Sequence, residues 1–284
     1  MFRTISESVK EGTCPYCGKD AFVYTYEDKS MFLCHHCQRH LDEDKVKRYV
    51  NNNNDDSRDT GASKSVAVNY SSVLRSCSVL SDLPDNHISV QYARSRNFPS
   101  DAYSKLYYCP DFGEVSAYAG IKTVSSERLI LPFYNSDNQL FGLQGRSLDG
   151  SEPRYITLMF DKEEDKMFGL DKVDITKTFI CVEGPIDSLF LKNCVAMAGS
   201  DGLSDKYISN AVLCFDNEPR NKQIVDKVER YIDKGFKTVV WPDHIKEKDI
   251  NDMVLKGVDV QSVVERNTYA GLAAKIKFNA WKKI

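Results

Sequence analysis

Three short apolar runs in the second half of the chain each end in a knot of carboxylates. Residues 178–182 run into Glu183, Gly184, Pro185, Ile186 and Asp187, and residues 211–215 into Asp216, Asn217 and Glu218. Residues 237–241 lead, after a short loop, to Lys248, Asp249, Ile250, Asn251 and Asp252. Parallel strands deliver the residues at their C-terminal ends to one edge of the sheet, where ligands gather. Carboxylates crowded there repel one another unless cations are bound, so the set asks for Mg²⁺ or Mn²⁺ and phosphate chemistry. In-line displacement at phosphorus is helped by two such ions. Asp216 and Glu218, two apart in extended chain, point to the same side and can share one metal cluster. Gly184 leaves the backbone beside Glu183 uncovered. Asp187 either supports a metal ligand from behind or complements the N-terminus of the following helix. Of Asp249 and Asp252, three apart, one faces the metals and the other caps a helix.

A second constellation lies near the N-terminus. Cys14 and Cys17, then Cys34 and Cys37, form two CxxC pairs with sixteen residues between them. That spacing fits four thiolates on two hairpin turns closing a tetrahedral zinc site. The competing readings are a redox CxxC or a disulfide framework. No secretory signal or transmembrane run is present, and five further cysteines (77, 109, 181, 194, 214) lie scattered in apolar contexts. A reducing cytoplasm, a zinc ribbon and no membrane are therefore expected. His35, His36 and His40 are read as surface residues, because four sulfurs already complete a closed site.

The elements that must carry these residues can be read from length and pattern. At 284 residues the chain suggests about two domains, each large enough for a core except the zinc module, which needs its metal. Residues 51–63 contain no large apolar side chain and read as a flexible tether. The net charge of −3 gives no support to bulk nucleic-acid affinity, so any such binding uses local basic patches. One is the tail 261–284, with Arg266, Lys275, Lys277, Lys282 and Lys283 against Glu265; an ordinary solvated helix end is the other reading. Residues 82–97 and 101–105 read as helical, 128–134 and 140–146 as a hairpin, 186–193 as a helix, and 221–234 as a helix stopped by Gly235. The βαβα order of the second half predicts a doubly wound, right-handed parallel sheet.

With these strings in hand the chain resembles proteins carrying a TOPRIM fold. The upstream Arg128–Phe133 strand, Gly142–Arg146 and Pro153-Arg154-Tyr155 resemble the polymerase core of DnaG-type primases. Glu-Gly-Pro-Ile-Asp-Ser-Leu-Phe at 183–190, Asp-Asn-Glu-Pro-Arg at 216–220 and Lys-Asp-Ile-Asn-Asp-Met at 248–253 are similar to the primases of T-even-like tailed phages. The resemblance implies an α/β chain in five parts: a zinc-binding ribbon at 1–50, a linker at 51–69, the N-terminal part of an RNA polymerase core at 70–175, a TOPRIM catalytic domain at 176–260, and a basic helical tail at 261–284. It implies synthesis of short RNA primers from ribonucleoside triphosphates on a single-stranded DNA template, in the cytoplasm of an infected bacterial host. Glu183, Asp216, Glu218 and Asp249 would carry the magnesium ions, with Glu183 helping to deprotonate the 3′-hydroxyl. Arg128, Arg146, Arg154 and Lys248 would face nucleotide or template phosphates. The zinc module would help to select the priming site.

The sequence contains no Gly-x-x-x-x-Gly-Lys-Ser/Thr string, so unwinding is expected from a replicative helicase acting in trans, with single-strand-binding protein as a further partner. Two rival classes share parts of the pattern. A recombination-mediator clamp combines a four-cysteine zinc site with a TOPRIM fold, and a TOPRIM nuclease uses the same acids to cut DNA; neither accounts for the polymerase-type segment at 128–155.

Overall fold

The computed structural model describes residues 73–284, apart from 119, 122, 124, 162–163 and 198–201, together with five strands nearer the N-terminus. The chain divides into two compact units, Met1–Val66 and Ala67–Ile284. In the first, β1 (Arg3–Ser6), β2 (Val9–Thr13), β3 (Asp20–Tyr26), β4 (Lys29–Leu33) and β5 (His40–Leu41) form an antiparallel meander in chain order. The zinc expectation at Cys14, Cys17, Cys34 and Cys37 lies outside the described residues, as does the tether at 51–69.

The second unit holds two sheets. Its antiparallel sheet is built from β6 (Ser78–Val79), β7 (Tyr107–Cys109), β8 (Arg128–Tyr134), β9 (Leu140–Ser147) and β10 (Tyr155–Met159), in the order β10-β9-β8-β7-β6. Helix α1 (Ile88–Ser95) precedes β7, and α2 (Phe112–Ala117) lies between β7 and β8. β8 is buried on both faces because alternate side chains serve two cores. Leu129, Leu131 and Phe133 join the main core, whereas Ile130 packs with Phe112, Val115, Leu143 and Leu158 on the other side. The hairpin turn after β8 is closed by Asn135, whose Oδ1 accepts from the N–H groups of Asp137 and Gln139 at 3.1 and 2.9 Å. The helix expected over 82–97 is shorter than its pattern, since a 3₁₀ turn occupies Leu80–Asp82 and His87 caps α1. Residues 101–105 likewise contribute only a 3₁₀ turn, Ser100–Ala102.

The second sheet continues with β11 (Met167–Phe168), β12 (Phe179–Val182), α3 (Pro185–Ser188), β13 (Cys194–Met197), β14 (Ala211–Cys214), α4 (Lys222–Lys234) and β15 (Lys237–Val239). It closes with α5 (Ile250–Leu255), α6 (Val260–Arg266), β16 (Thr268–Tyr269) and α7 (Gly271–Trp281). The strand order is β11-β13-β12-β14-β15-β16, parallel through the four central strands and antiparallel at both edges. β12, β13 and β14 are buried throughout, which is why they read as unbroken apolar runs. In α4, Asn221 caps the N-terminus, Gly235 takes a left-handed φ of 97° after the last turn, and Val225, Val228, Tyr231 and Ile232 are buried.

Two expectations are corrected here. The helix expected over 186–193 is a single turn, because the chain leaves it to enter β13 through Asn193 at a φ of 46°. The tail at 261–284 is helical as expected, but it is packed into the fold and is not a solvated helix end. Its β16 pairs with β15, and α7 buries Ala274, Phe278 and Trp281. No described helix is long and apolar enough to cross a membrane.

Candidate active site

The ends of β12 and β14 and the start of α5 open onto one cleft of about 500 Å³. Glu183, Asp187, Asp216, Lys248, Asp249 and Asn251 line one side of it. Tyr92, Gln144, Arg154, Tyr155 and Thr157, from α1, β9 and the start of β10, line the other, and Arg96 at the end of α1 joins the two through Asn251 and Asp252. Acids far apart in the chain converge because β12 and β14 are adjacent and in register, with Val182 opposite Cys214. Glu183 follows that pair by one residue and Asp216 by two, so the two acids leave adjacent strands within one residue of each other.

Glu183 is held at both oxygens. Oε2 accepts the backbone N–H of Asp216 at 3.2 Å, and Oε1 pairs with Lys227 Nζ at 2.6 Å. Asp249 is itself the cap of α5, its Oδ1 accepting the N–H of Asp252 at 2.7 Å. Asp252 turns instead toward Arg96, Nη1 to Oδ1 3.5 Å. The division anticipated from their spacing thus takes another form, with one residue both capping the helix and lining the cleft. Asp187 accepts the N–H of Asn251 at 2.9 Å, so it ties the β12 turn to α5 rather than only complementing its own short helix. Asn251 is buried and exchanges two hydrogen bonds with Arg96, accepting from Nη1 at 3.1 Å and donating to its carbonyl at 2.7 Å.

The loop between Asp216 and Glu218 is pinned from behind. Asn217 donates to the carbonyls of Ile245 and Glu247, both at 3.1 Å, and accepts from Trp281 Nε1 at 2.9 Å. Trp241 Nε1 donates to the carbonyl of Phe215 at 2.8 Å. Glu218 lines an adjoining cavity of about 380 Å³ and meets Lys248 Nζ at 3.3 Å.

Burial and the crowding of like charge together show in the acidities. Burial, then the carboxylates of Glu183, Asp187 and Asp249, push Asp216 up to about 7 against the pull of Lys248. Burial and the charges of Asp249 and Asp252 push Asp187 up to about 7, although the Asn251 N–H and Arg96 oppose this. Both folded-state values lie above the ordinary 3.8, so the folded protein binds more protons than the unfolded chain between these limits. Their stabilising contribution is complete below the unfolded value and lost as pH rises through about 7. Freed of divalent ions, the protein is expected to melt at least about 3 °C higher near pH 5.5 than near pH 8, with added Mg²⁺ recovering the loss at pH 8. A melting temperature indifferent to both would contradict charge crowding.

On the opposite wall cations and rings alternate. Arg146 Cζ lies 5.3 Å from the Tyr92 ring centre and 5.1 Å from that of Tyr155. Arg96 sits over Tyr92 at 6.0 Å, and Arg154 over Tyr155 at 5.7 Å. Such pairs hold guanidinium groups without neutralising them. Arg146 donates from Nη1 to the Ser147 carbonyl at 2.7 Å and stands behind the wall, whereas Arg154 and Lys248 line the cleft.

Arg128 corrects the sequence reading. It is 1% exposed, with Nε on Ser126 Oγ at 2.9 Å and Nη1 on the carbonyls of Gly145 and Pro153 at 3.1 and 3.0 Å. It braces the hairpin from inside and does not reach the cleft. Sequence reasoning gave no place in the site to Tyr92, Arg96, Gln144, Tyr155, Thr157 and Lys227, although Gln144 and Tyr155 stand within the strings that carry the resemblance. Lys227 carried a signal, being a lysine one position from Val228 on the apolar edge of α4.

Magnesium is ordinarily held by one or two carboxylates, water and substrate phosphates rather than by an all-protein cage. Among the described residues no three acidic, histidine or cysteine side chains form a ready-made ligand cluster. Four carboxylates facing one cleft, two of them pushed up toward neutrality, are nonetheless a donor set that fits a hard divalent cation.

Comparison with known proteins accords with this geometry. No family model matches. The chain is 31% identical over 223 residues to the DNA primase of Enterobacteria phage T4, covering 74% of this chain and 65% of that protein's length. The structure of the DnaG primase catalytic domain bound to single-stranded DNA matches with a TM-score of 0.55 at 16% identity, covering 72% of this chain and 78% of that one. The zinc-binding and RNA polymerase domains of the Aquifex aeolicus primase match with a TM-score of 0.54 at 17% identity, covering 98% of this chain and 83% of that one. The resemblance to DnaG-type primases is thereby borne out: this chain has the mixed α/β fold of the DnaG primase core and is similar in sequence to a phage DNA primase.

Proposed function

We propose that the protein is a DNA primase, polymerising ribonucleoside triphosphates into short RNA primers on single-stranded DNA. The observation that carries this reading is the single cleft in which carboxylates from the ends of β12 and β14, from α3 and from the start of α5 meet arginines interleaved with tyrosines. One side suits a metal-bound triphosphate, and the other suits a phosphate backbone with unpaired bases, which stack on aromatic rings.

Glu183, Asp216 and Asp249 are the residues proposed to hold Mg²⁺ or Mn²⁺ in what the motifs identify as a TOPRIM fold, with Glu218 beside them. When bound, such ions neutralise the triphosphate and make the 3′-hydroxyl a better nucleophile. Lys248, tethered to Glu218, brings a positive charge to the phosphate side. Arg154 and Arg96 neutralise phosphates of nucleotide or template, and Tyr155 and Tyr92 stack against bases. Arg146 acts from behind by holding both rings in place.

The first unit is proposed to bind one zinc ion through Cys14, Cys17, Cys34 and Cys37. Its strand pairing supports this. Thr13 pairs with Asp20, Phe22 with Leu33, and Leu33 with His40, so the strand ends flanking both CxxC pairs share one end of the meander. One zinc per chain is expected by elemental analysis. Cys34→Ser is expected to lose the metal and site-specific initiation while keeping dinucleotide extension in part, and unchanged zinc would refute the ligand set. A replicative helicase in trans and single-strand-binding protein remain the partners the resemblance implies.

The decisive assay incubates the protein with labelled ribonucleotides, Mg²⁺ and mixed-sequence single strands. Short RNA products are expected. Shortened DNA would instead identify a nuclease, and binding without turnover a clamp.

A further inference from the structure

Lys227 lies outside every motif, yet it makes the shortest contact to the acidic cluster. Its ammonium is 2.6 Å from Glu183 Oε1, and the two side chains are only 20% and 22% exposed. The same Nζ sits 5.2 Å from the Phe215 ring centre, on the residue before Asp216. Glu183 Oε2 is meanwhile engaged by the Asp216 N–H. Both Glu183 oxygens are thus committed, one of them to a cation the chain supplies itself.

We propose that Lys227 is the resident counter-ion of the acidic cluster: it occupies Glu183 in the metal-free protein and is displaced from that oxygen when a divalent cation takes the carboxylate. This rests on the reading of Glu183 as a metal ligand. The physical argument is exclusion. A lysine ammonium and a divalent ion cannot share one carboxylate oxygen at contact distance without strong mutual repulsion. The lysine therefore lowers the repulsion among Glu183, Asp187, Asp216 and Asp249 while no ion is present, and sets the affinity at which an ion enters. The Phe215 ring, which the ammonium already faces at 5.2 Å, keeps a favourable contact with it after Glu183 is taken, without a proton having to leave it.

Mn²⁺ binding to the full-length protein, followed by electron paramagnetic resonance without nucleotide or DNA, tests this directly. Lys227→Met is expected to bind Mn²⁺ about tenfold more tightly than the wild type, and Lys227→Arg to restore the weaker binding. Equal affinity in wild type and Lys227→Met, with Asp216→Asn losing the ion, would overturn the inference while leaving the metal site standing. Weaker binding in Lys227→Met would also overturn it, by making the lysine a positioning residue for Glu183. No Mn²⁺ binding by any of these proteins would remove the metal reading itself. A second measurement needs no variant. Amine acylation mapped by mass spectrometry is expected to find Lys227 protected in the metal-free wild type and several-fold more reactive with Mn²⁺. Unchanged reactivity would overturn the displacement.

Discussion

Asp216→Asn is expected to reduce primer synthesis at least about 10³-fold and, at the same time, to raise the melting temperature of the metal-free protein near pH 8. The two effects have one cause. Asp216 stands at the end of β14, where burial and then the charges of Glu183, Asp187 and Asp249 push its carboxyl up to about 7. A neutral amide of the same shape escapes that repulsion, so the fold gains stability while the site loses a proposed metal ligand. The gain should vanish near pH 5.5, where the wild-type carboxyl is itself largely protonated. Priming assays and melting curves at both pH values check this. Synthesis within tenfold of wild type would remove Asp216 from the chemistry, and a lower melting temperature at pH 8 would show that the acids are not crowding one another.

Arg128→Met should act in the opposite manner, harming the fold and sparing the chemistry. The guanidinium is buried against the Phe112 ring at 5.2 Å, and it satisfies the Gly145 and Pro153 carbonyls. Methionine fills much of the volume but takes one donor away from each of those carbonyls. The loss is about 3 kcal/mol, which for a domain of this size lowers the melting temperature by roughly 6–12 °C. Activity per folded molecule, measured well below the transition, should stay within a few-fold of wild type. Lost activity with an unchanged melting temperature would return Arg128 to the phosphate-binding role its motif suggests.

Gly145 explains why that role was misread. On β9 it pairs with Ile130 of β8, and a Cβ built there would meet Phe112 Cε2 at 2.5 Å and Arg128 Cδ at 2.9 Å. The missing side chain is the space into which Arg128 folds. An arginine heading a strand looks like a rim charge until the neighbouring strand is known, and that neighbour is a matter of pairing. The edge of the second sheet was hidden for a related reason. β16 has two residues and no periodicity of its own, so its place beside β15 depends on backbone hydrogen bonding alone.

The acids, by contrast, were legible. Glu183, Asp216 and Asp249 each come after an apolar run, and in a parallel sheet such runs must end at a common edge. Order along the chain was therefore enough to anticipate that they meet. The groups facing them were beyond its reach: Lys227 arrives from a helix on one side, and Tyr92, Arg96 and Tyr155 from the antiparallel sheet and α1 on the other. Local pattern records which side chains an element buries and where it stops. Only packing decides which elements lie opposite, because that choice is made by the fit of whole surfaces far apart in the chain.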